Sequence, residues 1–184
     1  MNSRSQTLCN AMNGLSAVVR VTALAATLLL AGCTAFSGSH LVPGKSTAAE
    51  VEATMGAPRY QVAVAGGVTR WFYPRGPMGQ ETYAVNIGSD GMVQGVEQTL
   101  TYENVAKIRA ASVITGKDIL AMIGPPNKIT RFEGKGRDAW EYRMYYIDWK
   151  VLTLELSDDG VVRAVMLDDD PSHNVPSGGE CARC

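Results

Sequence analysis

The chain has 184 residues, 46% of them hydrophobic and 19% charged, with a formal net charge of −1. That length suits one or two small domains and excludes a large multidomain enzyme, and the apolar fraction excludes wholesale disorder. The near-neutral balance argues against nucleic acid as a partner, which would call for a basic surplus, and four cysteines are too few for a disulfide-built scaffold.

In chain order, Arg4 and Arg20, with no acid between them, precede an apolar run from Val21 to Ala31. The run has the length of a secretory signal core and falls short of the roughly 20 residues that a spanning helix needs. It ends in Leu30-Ala31-Gly32-Cys33, where small residues suit a signal peptidase. This tetrapeptide resembles the bacterial lipobox. The resemblance implies a signal peptide over residues 1–32 and acyl chains, palmitate among them, on Cys33. Thr34 stands where an Asp would favour the inner membrane, which implies a periplasm-facing anchor in the outer membrane. Several acyl chains on one residue hold more firmly than the marginal single-chain case. Residues 33–42 are expected to form the lipidated Cys and a flexible tether, because Thr34–His40 are small and polar.

A first repeat is expected over residues 43–99. Thr47 sits where an N-cap should be, with Glu50 three residues on, so hydroxyl and carboxylate can satisfy each other's backbone amides. Val51 and Met55 lie at i and i+4 on one helix face. Gly56 suits the end of the helix, and Pro58 blocks its continuation. Strands are predicted at Tyr60–Ala65, Thr69–Tyr73, Thr82–Ile87 and Met92–Gln98. Gly66-Gly67 and Ser89-Asp90-Gly91 supply turns.

A second repeat is expected over residues 100–170. It opens with a short helix at Tyr102–Ala111, with Val105 and Ile108 inward. Thr115 to Pro126 then matches Thr47 to Pro58 at an offset of 68: Thr on Thr, Asp118 on Glu50, Gly124 on Gly56, Pro126 on Pro58. After one insertion the offset is 69, pairing Trp140 with Trp71, Tyr142 with Tyr73 and Asp159-Gly160 with Asp90-Gly91. Strands are predicted at Lys128–Glu133, around Trp140–Met144, at Lys150–Leu156 and at Val161–Leu167. The middle two are either one long strand or a hairpin. Helix followed by strands, without βαβ alternation, predicts an α+β class built of two tandem helix-plus-antiparallel-sheet units. Residues 171–184 read as a flexible C-terminal tail.

The stretch Pro43 to Pro58, and Leu100 to Ile108 followed by Thr115 to Pro126, resemble the SmpA/OmlA (BamE-like) group of small outer-membrane lipoproteins. The resemblance implies a helix–helix–strand fold and a role in assembling β-barrel proteins into the outer membrane. The tandem arrangement is similar to that of β-lactamase-inhibitor protein, which binds enzymes with its sheet. The function expected is therefore that of a non-catalytic lipoprotein acting on envelope or outer-membrane proteins. The alternative is a binding or inhibitor module for a periplasmic or secreted enzyme.

No chemistry competes with this reading. His40 and His173 lie in the tether and tail, where an imidazole lacks the held geometry of a ligand or base. Asp168-Asp169-Asp170 lacks the spacing of a calcium loop and reads as a solvated strand end. Neither a catalytic set, a metal nor a cofactor is expected. Cys181 and Cys184 follow Pro- and Gly-rich sequence and read as a tail disulfide, with a redox or metal-binding tail as the other option. Trp71, Tyr73, Trp140 and Tyr142 recur at period-2 spacing and read as core. Tyr145, Tyr146 and Trp149 occur in the second copy alone. Alternation cannot bury all three, which makes them the expected partner contact.

Overall fold

The computed structural model describes residues 38–75, 79–134 and 136–173. All belong to one compact unit, Ser37–Cys184. The signal peptide, Cys33, Cys181 and Cys184 lie outside the described residues.

The elements run α1 (Ala48–Met55), β1 (Tyr60–Val64), β2 (Val68–Arg75), β3 (Glu81–Ile87), β4 (Val93–Gln98), α2 (Tyr102–Ala110), α3 (Gly116–Ile123), β5 (Lys128–Phe132), β6 (Arg137–Tyr145), β7 (Trp149–Ser157) and β8 (Val162–Asp169). They make two four-stranded antiparallel sheets, β1-β2-β3-β4 and β5-β6-β7-β8, each a simple meander. The middle strands of each sheet pair as hairpins.

The expected α+β class is overturned. Of the described residues, 46% lie in strands and 21% in helices, so the fold is mostly β, with the two sheets rather than helix-plus-sheet pairs as its units. The reason is local. Capping signals mark where a helix starts and stops but do not make it long. Gly56 and Gly124 adopt φ of 81° and 85° with ψ near 180°, a backbone region open to glycine alone, and end α1 and α3 after eight residues each.

The two sheets share a set of equivalent contacts. Thr47 and Thr115 both close capping boxes, with Glu50 and Asp118. Ala48 N donates to Gly91 O at 2.9 Å, and Gly116 N to Gly160 O at 2.8 Å. A bulge falls at Asn86/Ile87 in one sheet and at Glu155/Leu156 in the other.

Each sheet buries the face towards its covering helices. In the first, Val51 and Met55 of α1 pack on Tyr73, Val85, Ile87 and Val93, with Leu41 joining them. In the second, Val105, Ile108, Ile119 and Ile123 cover Tyr142, Met144, Leu152, Leu154 and Leu156. Trp71 and Trp140 pack at the margins of these clusters. The seat of Leu41 shows that the packed chain reaches back to Gly38, into the segment expected to be tether. Leu41 N donates to Gly38 O, and Gly38 lies against Met55 and Val96.

Helix α3 joins the sheets because it has two working sides. Ile119 and Ile123 face the second sheet, while its C-terminal end covers the far face of the first. There Arg70 Nη1 donates to Ala121 O at 3.1 Å, and Thr99 Oγ1 reaches Ile123 O at 3.4 Å. Gly124 sits at the crossing. Tyr142 Oη donates to its carbonyl at 3.0 Å, and a Cβ there would come within 2.7 Å of the Phe72 ring. Phe72, Thr82 and Ala84 are buried on this far face.

Candidate functional site

The matching face of the second sheet has no such cover among the described residues. Pleat and register place Ala139, Glu155 and Ala164 in one row, Glu141, Thr153 and Met166 in the next, and Arg143, Val151 and Asp168 in a third. Apart from Ala139, these side chains are half-buried or exposed. Most of their charges are paired in place: Lys128 with Glu141 at 3.5 Å, Arg137 with Glu155 at 3.2 Å and Arg143 with Asp170 at 3.8 Å. The result is a flat surface of paired charges around a strip of Val151, Thr153 and Met166.

The row ends in aromatics. Tyr145 and Trp149 face each other across the β6–β7 register, with ring centroids 5.0 Å apart. His173 stacks on Trp149 at 4.0 Å. Tyr146 turns the other way and stacks on Tyr102 of α2 at 5.1 Å. Of the three aromatics expected as a partner contact, two therefore share the open face, and the third turns to α2 while lining, with Tyr145 and Tyr102, the groove between them. Tyr145 and Tyr146 are 54% and 59% exposed.

Two residues expected to be solvated are fixed here instead. Asp170, read as part of a solvated strand end, is 1% exposed. Burial works to raise its pKa, but the Ser172 hydroxyl and amide, with the charges of Arg143 and His173, outweigh it and hold the pKa below the usual carboxylate value. The Ser172 bonds are 2.6 and 2.9 Å long, and Arg143 Nε stands 3.8 Å from Asp170 Oδ2. His173, read as tail, is pinned by its ring stack and by N–H donation to Asp170 O at 3.0 Å. This strap could not be found from sequence. An acidic run followed by Pro-Ser-His carries surface punctuation, and burial comes only from the neighbouring strand. Lys150 at the same end pairs with Asp169 and Asp148, which raise its pKa.

A hollow of about 400 Å³ opens beside the N-terminus of α3, between Lys117, Arg131, Trp140 and Asp158. Its guanidinium is already committed: Arg131 donates to Asp138 at 2.9 Å and to Asp158 at 2.6 Å. Among the described residues, no group of three or more His, Cys, Asp or Glu could hold a metal ion, and no helix is long and apolar enough to cross a membrane. His40 stands exposed in the turn before Leu41.

No family model matches the chain, and no curated protein does. Among solved structures it is similar to a DUF4309 family protein (YjgB) from Bacillus subtilis, with 18% identity over 72% of this chain and 84% of that one and a TM-score of 0.27. A likeness that low carries no argument about this chain's fold or function.

Proposed function

We propose that this chain is a non-catalytic lipoprotein of the outer membrane, held on its periplasmic side through Cys33, that works by docking on envelope proteins, in outer-membrane protein assembly or envelope integrity. One observation carries the docking surface. The same sheet face that is buried under α3 in the first repeat is left uncovered by the described residues in the second and ends in Tyr145 and Trp149. Such a face, with Val151, Thr153 and Met166 along its centre and mostly paired charges around them, suits a partner that pays little to desolvate it. The lipobox-like Leu30-Ala31-Gly32-Cys33 and the likeness of Pro43 to Pro58 to the SmpA/OmlA group support the setting. No metal or cofactor is needed for this role.

The test is co-purification of the full-length protein from detergent-extracted envelopes, beside Met166→Glu and Tyr145→Ala. Outer-membrane proteins are expected with the parent and are expected to be lost from both variants, while Cys33→Ala moves to the soluble fraction. Equal capture by parent and variants would move the contact off this face. A soluble periplasmic enzyme captured in their place would favour the inhibitor reading.

A further inference from the structure

The β6–β7 hairpin ends in Tyr145-Tyr146-Ile147-Asp148-Trp149, an aliphatic residue between aromatic ones. The turns at Ser89-Asp90-Gly91, Gly134-Lys135-Gly136 and Asp158-Asp159-Gly160 are polar, and the β1–β2 and β2–β3 connections, Ala65-Gly66-Gly67 and Gly76-Pro77-Met78-Gly79-Gln80, carry no aromatic residue. At the apex of the exception Ile147 is 79% exposed, and Tyr102 and Tyr146 stack beside it. A tight turn has no structural need for an exposed isoleucine between aromatic rings. Tyr and Trp with an aliphatic tip form the side-chain set that settles at the boundary between headgroups and acyl chains.

The path of the chain brings this tip towards a bilayer. Gln98 lines two adjoining grooves. One, of about 300 Å³, also has Gly38 and Leu41 in its wall. The other, of about 490 Å³, has Tyr102, Tyr145 and Tyr146. Gly38 thus lies at the flank that carries the aromatic tip. Gly38 follows Cys33 by five residue steps, and a trans chain spans at most about 3.6 Å per step, so Cys33 stays within roughly 18 Å of that flank. Charge points to the manner of contact. The groups around the tip are Glu103, Lys107, Asp148, Lys150 and Asp169, of mixed sign, with Lys107 paired to Glu103 and Lys150 to both aspartates. No free basic cluster is available among them to draw the tip to anionic lipid.

We infer that the β6–β7 tip, through Ile147, Tyr146 and Tyr102, inserts into the interfacial layer of the same membrane that holds the lipid anchor, by apolar burial rather than charge attraction. The inference rests on the proposed acylation of Cys33. Insertion would fix the tilt of the body on its tether and turn the open face of β5–β8 sideways, towards proteins embedded beside it.

The test uses the full-length lipoprotein with Cys181→Ser and Cys184→Ser, carrying an environment-sensitive fluorophore at Ile147→Cys or, as the control, at Glu133→Cys at the opposite end of the sheet. Each is reconstituted into phosphatidylcholine vesicles containing lipids brominated on their acyl chains. The expected result is a blue shift at 147 and quenching several-fold stronger than at 133, unchanged by high salt or by added phosphatidylglycerol. A probe at 147 as water-exposed as that at 133, in protein whose Cys33 is acylated by mass spectrometry, would overturn the insertion and leave the anchor standing. Absence of acyl chains on Cys33 would overturn the anchor and the inference with it. Shielding of 147 in native membranes but not in protein-free vesicles would assign the tip to a protein and also overturn it.

Discussion

Phe72 and Glu141 occupy the same place in two copies of one strand, each between a repeated Trp and a repeated Tyr. Phe72 is sealed under the end of α3, paired with Ala84 in the β2–β3 register; Glu141 lies on the open face, paired with Thr153 and bridged to Lys128. Both copies bury the side under their helices, by α1 and Leu41 in the first and by α2 and α3 in the second, so the sharper difference is the use of the far side. In the first copy that side carries a neighbour. In the second it carries charge pairs and a short apolar strip, the way a terminal repeat ends a stack. A face kept open in this manner, with aromatics at one end, is where a different molecule can sit.

Exchanging the two residues tests that contrast most severely. Phe72→Glu would bury a carboxylate, with Arg70 as the nearest cation, and forfeit the ring's packing, costing about 3–5 kcal/mol in chemical denaturation. The reverse change, Glu141→Phe, loses only a surface pair, so stability should shift by about 0.5 kcal/mol while self-association in sedimentation rises.

The glycines that end α1 and α3 sharpen the point. Both have φ open to glycine alone, so Ala at either costs about 1–3 kcal/mol. At Gly56 nothing stands within 4 Å of the added carbon, whereas at Gly124 it meets Phe72 and Thr82. Gly124→Ala should therefore cost about 1–3 kcal/mol more than Gly56→Ala in urea unfolding.

The paired tyrosines differ next. Tyr142 Oη satisfies the buried Gly124 carbonyl, while the Tyr73 hydroxyl is buried without a hydrogen-bond partner among the described residues. Tyr142→Phe should cost about 1–3 kcal/mol and Tyr73→Phe almost nothing. The pH dependence follows the same pair. Burial first, then Glu52, pushes Tyr73 up to about 12 against the opposing Arg75. Burial also raises Tyr142 above its usual value. Since the folded chain keeps these protons after the unfolded chain releases them, the stabilisation is full below pH 10, and the Tyr73 share is lost as pH rises through about 12. In Tyr73→Phe the decline over that range should be shallower. The smallest difference expected is between the caps: Thr47→Ala and Thr115→Ala should each cost about 1 kcal/mol, alike to within error.

Local features of the fold were legible in the sequence because they are set by near neighbours. The Thr47–Glu50 and Thr115–Asp118 boxes, the Asp-Gly turns and the alternation of Trp140, Tyr142 and Met144 each declare themselves within a few residues. The class was misread because two complete sets of helix punctuation enclose helices of only eight residues, beside strands of up to nine. What depends on distant contacts was hidden. Gly124 reads as a helix stop and serves also as the seat of Phe72. Asp170 reads as surface and is buried. Tyr146 reads as a companion of Tyr145 and instead joins Tyr102.

The claim that the open face of β5–β8 is the working surface is tested most directly in intact cells, with a photoreactive residue at Thr153 and, for contrast, at Glu52 on the exposed side of α1. The account predicts discrete adducts with envelope proteins from position 153 and none from position 52. Adducts of the same kind from both positions, or none from 153, would contradict it.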